Sequence, residues 1–218
     1  MKIKWYGHSA FLITSKEGTK IIIDPYEPGG YDGAIAYGAI NDIADVVLTT
    51  HDHADHGYVK GLKGKPEIIN KEGENKIKGI SFKGMKAYHD TEKGSLRGAI
   101  VIFKIELEGV SICHLGDLGE MLDDKQINWL KPVDVLLVPV GGFFTIDSKV
   151  AANLVEKLQS KITVPMHYKT AKCGFPLSYV DEFLKDKKNV KKAGTSEIEI
   201  TKTSLPEKPE IVVLEHAL

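Results

Sequence analysis

A chain of 218 residues, 42% hydrophobic and 27% charged, is long enough for one sizeable core and has an ordinary soluble composition. Its formal net charge of −1 argues against nucleic acid or an anionic membrane surface as partner. Cys113 and Cys173 form no CxxC and no disulfide framework, and neither an apolar leader nor a membrane-length stretch is present, so the expectation is one cytoplasmic domain spanning 1–218.

Lys2 to Tyr6 and Ala10 to Thr14 predict two short strands joined at Gly7-His8, and Lys20 to Ile23 a third, stopped by Asp24-Pro25. Glu27 to Ala39, headed by Pro28-Gly29-Gly30, has the composition of a mobile loop near a site mouth. Ala44 to Thr49 is an apolar, β-branched run that predicts a buried strand. Its carboxyl end, where α/β sheets usually bind ligands, delivers Thr50-His51-Asp52-His53-Ala54-Asp55-His56-Gly57. Three imidazoles and two carboxylates in six residues are rarely gathered by chance. His51 and His53, two apart on extended chain, can face one metal, whereas Asp55 and His56, where the chain turns into a helix, suit a second. Mixed imidazole and carboxylate ligation favours zinc, with manganese or iron as the other options.

Tyr58 to Leu62 then predicts a short helix, and Glu67 to Asn70, Ile77 to Phe82 and Met85 to His89 predict strands. Ala99 to Leu107 and Val110 to Leu115 form a hairpin about Glu108-Gly109. Asp123 to Leu130 is helical, and Val133 to Val138 is a buried strand. Asp147 to Gln159 is a helix capped by Asp147, with Val150, Leu154, Val155 and Leu158 on one face. Ile162 to Met166 is a strand, Ser178 to Lys185 a helix capped by Ser178, and Lys185 to Lys192 a solvated, charged helix end. Glu197 to Thr201 and Ile211 to Leu214 are the last strands. Two strand-rich halves with helices outside predict a four-layer α/β arrangement. His89, Asp117 and His167 each fall where one of these strands ends, completing two three-residue metal sites and one carboxylate able to bridge them.

The pattern His-x-His-x-Asp-His, present as His51, His53, Asp55 and His56 and followed by His89, Asp117 and His167, resembles the metallo-β-lactamase-fold superfamily across essentially the whole chain. Trp5-Tyr6-Gly7-His8-Ser9-Ala10 and Asp24-Pro25 resemble the branch that includes bacterial ascorbate-lactone hydrolases and N-acyl-phosphatidylethanolamine phospholipase D. The resemblance implies an αββα sandwich with a binuclear site at one edge of the sheets. It places His51, His53 and His89 on the first metal, Asp55, His56 and His167 on the second, Asp117 between them, and Asp24 as a structural aspartate behind them. It also implies a hydrolase: two divalent cations roughly 3.5–4 Å apart share a water and lower its pKa towards ~7. The resulting hydroxide attacks a small, anionic ester, lactone or phosphoester, with Asp55 able to orient it and take its proton. Histidine rather than an acid at position 53 sets the superfamily's di-iron branch aside.

Candidate substrate residues are His8, on the tight connection between the first strands, and Arg97, the only arginine in a lysine-rich chain. A surface pairing of Arg97 with Glu92 or Glu106 is the competing reading, and for His8 a structural hydrogen bond. Lys169 could meet an anionic group, and Tyr26, Tyr31, Tyr37, Phe143 and Phe144 could line apolar walls or pack core. His114 is set aside as a ligand in favour of His89, and His216 is expected to be exposed. Three other readings stand at this point: a metal-dependent nuclease or phosphodiesterase of the same fold, a mononuclear-iron thiol oxidoreductase, and a non-catalytic scaffold. The near-neutral charge disfavours the first.

Overall fold

The computed structural model describes residues 1–218. Its first strands are β1 (Lys2–Gly7), β2 (Ala10–Thr14), β3 (Lys20–Ile23), β4 (Val46–Leu48), β5 (Glu67–Ile69), β6 (Gly73–Ile77) and β7 (Ile80–Tyr88). There follow β8 (Ala99–Leu107), β9 (Val110–His114), helix α1 (Asp124–Leu130), β10 (Val135–Pro139), helix α2 (Ser148–Leu158) and β11 (Ile162–Met166). Helix α3 (Val180–Leu184), β12 (Val190–Lys192), β13 (Glu197–Glu199) and β14 (Glu210–Val213) complete the chain. No helix is long and apolar enough to cross a membrane.

The strands pair into two mixed sheets, in the orders β13-β1-β2-β3-β4-β5 and β12-β14-β11-β10-β9-β8-β7-β6. Period-two alternation decides which side chains meet between them. Ile3, Trp5, Phe11, Ile13, Ile21, Ile23, Val46 and Leu48 all join the large core that also holds Phe82, Ile105, Ile112 and Leu137 of the other sheet. Their neighbours Tyr6, Ala10, Leu12, Ile22 and Val47 point the opposite way, into a second and smaller core. On the outer face of the larger sheet lie the three helices, which contribute Ile127, Leu130, Ala151, Leu154, Leu158 and Phe183. Asp123 closes a capping box with Gln126 at the start of α1, and Asp147 accepts from the backbone of Lys149 and Val150 at the start of α2. The two face-to-face sheets of the expected sandwich are therefore present, with helices outside the larger one. The layer over the smaller sheet is irregular chain rather than helix, with Tyr26, Ile35, Tyr37, Ile40, Cys173 and Leu177 supplying its buried side chains.

Several local expectations change. After the His/Asp cluster the chain enters turns, not a helix, and only the one-turn 3-10 helix Val59–Gly61 follows. The strands expected at Ile77 to Phe82 and Met85 to His89 are one continuous β7, and the break falls earlier, at Lys78-Gly79. Both residues have positive φ, 49° and 79°, the twist that a two-residue hairpin needs. Gly84 does not interrupt β7 because its missing Cβ leaves room for the Lys71 carbonyl, which would sit 2.7 Å from such an atom. Ser178 does not cap α3; the helix begins after Tyr179 without a side-chain cap, and the Ser178 backbone instead joins Gly141 and Lys169. The charged run to Lys192 ends as edge strand β12, parallel to β14, with Lys191 and Lys192 exposed. Exposed lysines on such an edge discourage pairing with another chain.

Candidate metal centre

Strand ends build the site. β4 runs into the segment Thr50–Gly57, β7 into His89, β9 through Leu115-Gly116 into Asp117, and β11 into His167. The Gly7-His8 connection reaches the same place from the smaller sheet, and its carbonyl accepts from both the His167 backbone (3.1 Å) and Trp5 Nε1 (3.0 Å). Gly116 has φ 53°, and a Cβ there would lie 2.8 Å from the Thr50 side chain, so only glycine lets the β9 exit approach the histidine segment this closely. His8, Asp24 and His167 also have φ near +50°, at 52°, 46° and 49°. Such backbone is uncommon outside glycine and clusters at functional sites.

All the residues singled out as ligands are brought together. The donor atoms of His51, His53 and His89 lie within 4.8 Å of one another, as do those of His51, His56 and Asp117. A further group within the same span is His8, Asp55, His56 and His167, so His8 stands inside the cluster rather than beside it. Asp117 is central: Oδ1 is 3.0 Å from His56 Nε2, and Oδ2 is 3.3 Å from both His89 Nε2 and His167 Nε2. Yet His56 Nε2, His167 Nε2 and Asp117 Oδ1 are buried with no hydrogen-bond partner, because the near contacts are misdirected. The backs of the His56 and His51 rings are tied down, the latter by the Thr50 hydroxyl 3.0 Å from its Nδ1. Asp24 Oδ2 faces His56 Nδ1 at 2.9 Å while accepting from the Thr50 hydroxyl at 2.8 Å, and Oδ1 accepts from the Thr50 backbone at 2.7 Å. Asp55 Oδ2 meets His8 Nε2 at 3.1 Å, and Asp55 Oδ1 accepts from the Tyr31 hydroxyl at 3.2 Å.

Burial, with His167 nearby, pushes His8 down to about 4, and burial beside His56 pushes His51 down to about 3, so both rings are neutral and carry a lone pair. Burial works to raise Asp117, but His167 and His56 outweigh it and hold the carboxyl well below its usual range. Asp55 is likewise lowered, His56 and His8 overcoming its burial. His56 goes the other way: burial opposes its charge, and Asp117, Asp55 and Asp24 raise it. A neutral pair of imidazoles beside depressed carboxylates is a donor set suited to a divalent cation.

In front of the cluster is a cavity of about 420 Å³, lined by Tyr31, His53, Asp55, His89, Leu96, Arg97, Asp117, Phe144 and Phe175. Arg97 thus reaches the site, and it pairs with neither Glu92 nor Glu106, the latter lying 3.6 Å from Lys104. Lys169 does not reach it; its ammonium donates to the Phe175 carbonyl at 2.9 Å. Tyr26 and Tyr37 are buried under the loop layer, whereas Tyr31 and Phe144 line the cavity. His114 is a core residue whose Nδ1 accepts from Gly116, leaving Nε2–H for the Ser9 carbonyl. His216, expected to be exposed, packs edge-on against Trp5 and Tyr37. Leu96 and Phe175 escaped sequence reading, Phe175 because nothing in Gly174-Phe175-Pro176 signals a site. Asp90 also escaped: its buried carboxylate accepts from the backbone of Glu92, Gly94, Leu96 and Arg97, at 2.8 to 3.1 Å. An Asp ahead of a glycine-containing turn is the only signal it leaves.

Two mixed sheets face to face, with imidazoles and carboxylates gathered at their strand ends, define the class of αββα metal-dependent hydrolases. The model of the β-lactamase superfamily domain matches residues 2–167. A UPF0173 metal-dependent hydrolase of Nitratidesulfovibrio vulgaris is 32% identical over 197 residues, covering 78% of this chain and 80% of the relative. One from Thermococcus kodakarensis is 32% identical over 195 residues, covering 78% and 85%. A crystal structure from Thermotoga maritima, named as a candidate zinc-dependent hydrolase of the metallo-β-lactamase superfamily, superimposes with a TM-score of 0.81 at 35% identity, covering 98% of each chain. The chain belongs to the metallo-β-lactamase superfamily, and within it to the family of UPF0173 metal-dependent hydrolases.

Proposed function

We propose that this enzyme is a binuclear hydrolase, one domain over residues 1–218, acting on a small ester, lactone or phosphoester. The observation that carries this reading is the convergence of buried, unpartnered donors on Asp117. Each such atom left without a partner costs about 1–3 kcal/mol, and a cation among them removes that cost. His51, His53 and His89 would hold one ion, Asp55, His56 and His167 the other, with Asp117 shared. Zinc suits this mixture of imidazole and carboxylate. When bound, two such cations acidify a water towards neutral pKa and neutralise charge developing on the scissile group.

The chain's own groups do the rest. Asp55, steadied by His8 and Tyr31, orients the water and accepts its proton. His8, neutral and held by its carbonyl, sets the direction of the Asp55 carboxylate. Asp24 fixes His56 with Nε2 facing Asp117. Phe144 and Phe175 wall the cavity and exclude water, and its size matches a small-molecule site.

Metal content measured by mass spectrometry on protein purified without chelator, together with turnover of chromogenic carboxyl esters and phosphodiesters, tests the reading. About two zinc ions per chain and a turnover abolished by Asp117→Ala are expected. One ion per chain, or unchanged turnover in a folded Asp117→Ala protein, would overturn it.

A further inference from the structure

The cavity has two unlike sides. One is an aromatic wall that leads inwards from the surface: exposed Phe143 meets Phe144 at 4.7 Å between ring centroids, and Phe144 meets Phe175 at 5.3 Å. Phe175 in turn lies 5.3 Å from Tyr31 and 5.8 Å from His8, so the wall ends at the His/Asp cluster. Beside it stand Leu96 and Arg97. The guanidinium of Arg97 lies 5.4 Å over the Phe144 ring, and no carboxylate lies within ion-pairing distance of it. An unpaired arginine on a loose surface loop would mean little. This loop is built: Asp90 clamps the amides of Leu96 and Arg97, and the His89 amide closes the base of the loop on the Gly98 carbonyl at 3.1 Å.

Leu96 is 71% exposed and Phe143 64%, which is costly for large apolar side chains unless something covers them. The same mouth therefore offers an apolar surface wanting a partner and a planar cation wanting an anion. Arginine suits this better than lysine, because its flat face stacks on a ring while its edge remains free for two parallel hydrogen bonds.

We propose that the substrate of this site is an amphiphilic anion, its charged group received by Arg97 and an aryl or alkyl arm laid along the Phe143, Phe144 and Phe175 wall. This rests on the hydrolase reading for its meaning, since the scissile bond must lie between that anchor and the His/Asp cluster. Asp90 is a positioning residue, acting only through the loop it holds.

The test uses the purified holoprotein and two probes of matched size, phenylethanesulfonate and neutral phenylethanol, titrated by calorimetry. A sulfonate is a poor metal ligand, so a preference for it reports the protein's cation rather than the metal centre. Phenylethanesulfonate should bind about tenfold more tightly than the alcohol, the scale of a charge-assisted pair at a half-open site. Arg97→Gln should bring the two affinities within about twofold, Arg97→Lys should keep part of the gap, and Phe144→Ala should weaken both probes alike. A preference that survives Arg97→Gln, or the absence of binding by either probe at millimolar concentration, would overturn the proposal. Metal content and turnover on the same samples separate the two claims. Two ions, turnover and an unchanged preference sink the amphiphile alone; one ion and no turnover with an Arg97-dependent preference sink the hydrolase and leave an anion site.

Discussion

Asp24 Oδ2 stands 2.9 Å from His56 Nδ1, and this contact fixes which nitrogen of His56 faces Asp117. A carboxylate can only accept, so Nδ1 carries a proton, and with a cation bound Nε2 would present its lone pair. Asn tolerates the left-handed backbone at position 24 and can still accept from Thr50. With its amide turned to His56, however, Asp24→Asn would donate to Nδ1 and force the proton onto Nε2. Metal affinity is therefore expected to fall about 10- to 100-fold in a chain that still folds. Competition with a chromogenic chelator measures it, and unchanged affinity would refute the tautomer argument.

Tyr31 is pushed up to about 12, first by burial and then by Asp55, so its hydroxyl stays neutral and donating across the working pH range. Tyr31→Phe should lower kcat about two- to tenfold, the low end of what one partly exposed hydrogen bond to a carboxylate is worth, with metal content unchanged. No alkaline limb of the rate profile below about pH 11 should belong to Tyr31. A limb near pH 9 that vanishes in Tyr31→Phe would contradict this.

Tyr37, buried under the loop layer, is likewise pushed up to about 12 by burial. A folded pKa above the unfolded one means that its contribution is intact below about pH 10 and is lost as pH rises towards 12. Alkaline unfolding followed by circular dichroism should coincide with Tyr37 ionisation, read as the phenolate absorbance missing from Tyr37→Phe. Ionisation well before unfolding would show that the ring is not held as described.

Asp90→Ala removes the acceptor for four backbone amides at once. The loop carries Lys93 and Arg97, so limited trypsin digestion should cut there several times faster than in the parent protein, while metal content holds. Equal digestion rates would mean that Asp90 does not organise the loop.

Gly84→Ala places a methyl group where the Lys71 carbonyl and Val101 already stand, at 2.7 and 2.9 Å. A loss of about 1–3 kcal/mol is expected from overpacking, measured by denaturant titration. A neutral effect would show that the β6–β7 hairpin shifts freely.

The metal cluster was legible because it is local: four of its residues lie within His51 to His56, and the others each follow an apolar strand that announces its own end. The short apolar runs that predict β1, β2 and β3 are local in the same way, and strands form at those positions. The aromatic wall of the cavity was not legible. Phe144 and Phe175 come from separate connections, after β10 and after β11, and meet only because those strands are parallel neighbours. A glycine inside a strand can mark either a break or a close approach, and at Gly84 only the position of the Lys71 carbonyl decides. Lys169 misled because a long side chain near a ligand has many partners, here the carbonyl of Phe175.

The irregular layer over the smaller sheet also sets where the molecule breathes. Strand ends anchor the His/Asp cluster, whereas residues 27–43 hold no strand or helix of their own. Amides in that stretch should exchange with solvent through small local openings, well below the free energy needed to unfold the sandwich. Tyr31 rides on the opening part and Asp117 on the closed one. Entry to the cavity and integrity of the metal cage therefore draw on separate reserves of stability, and a mutation can loosen the first without touching the second.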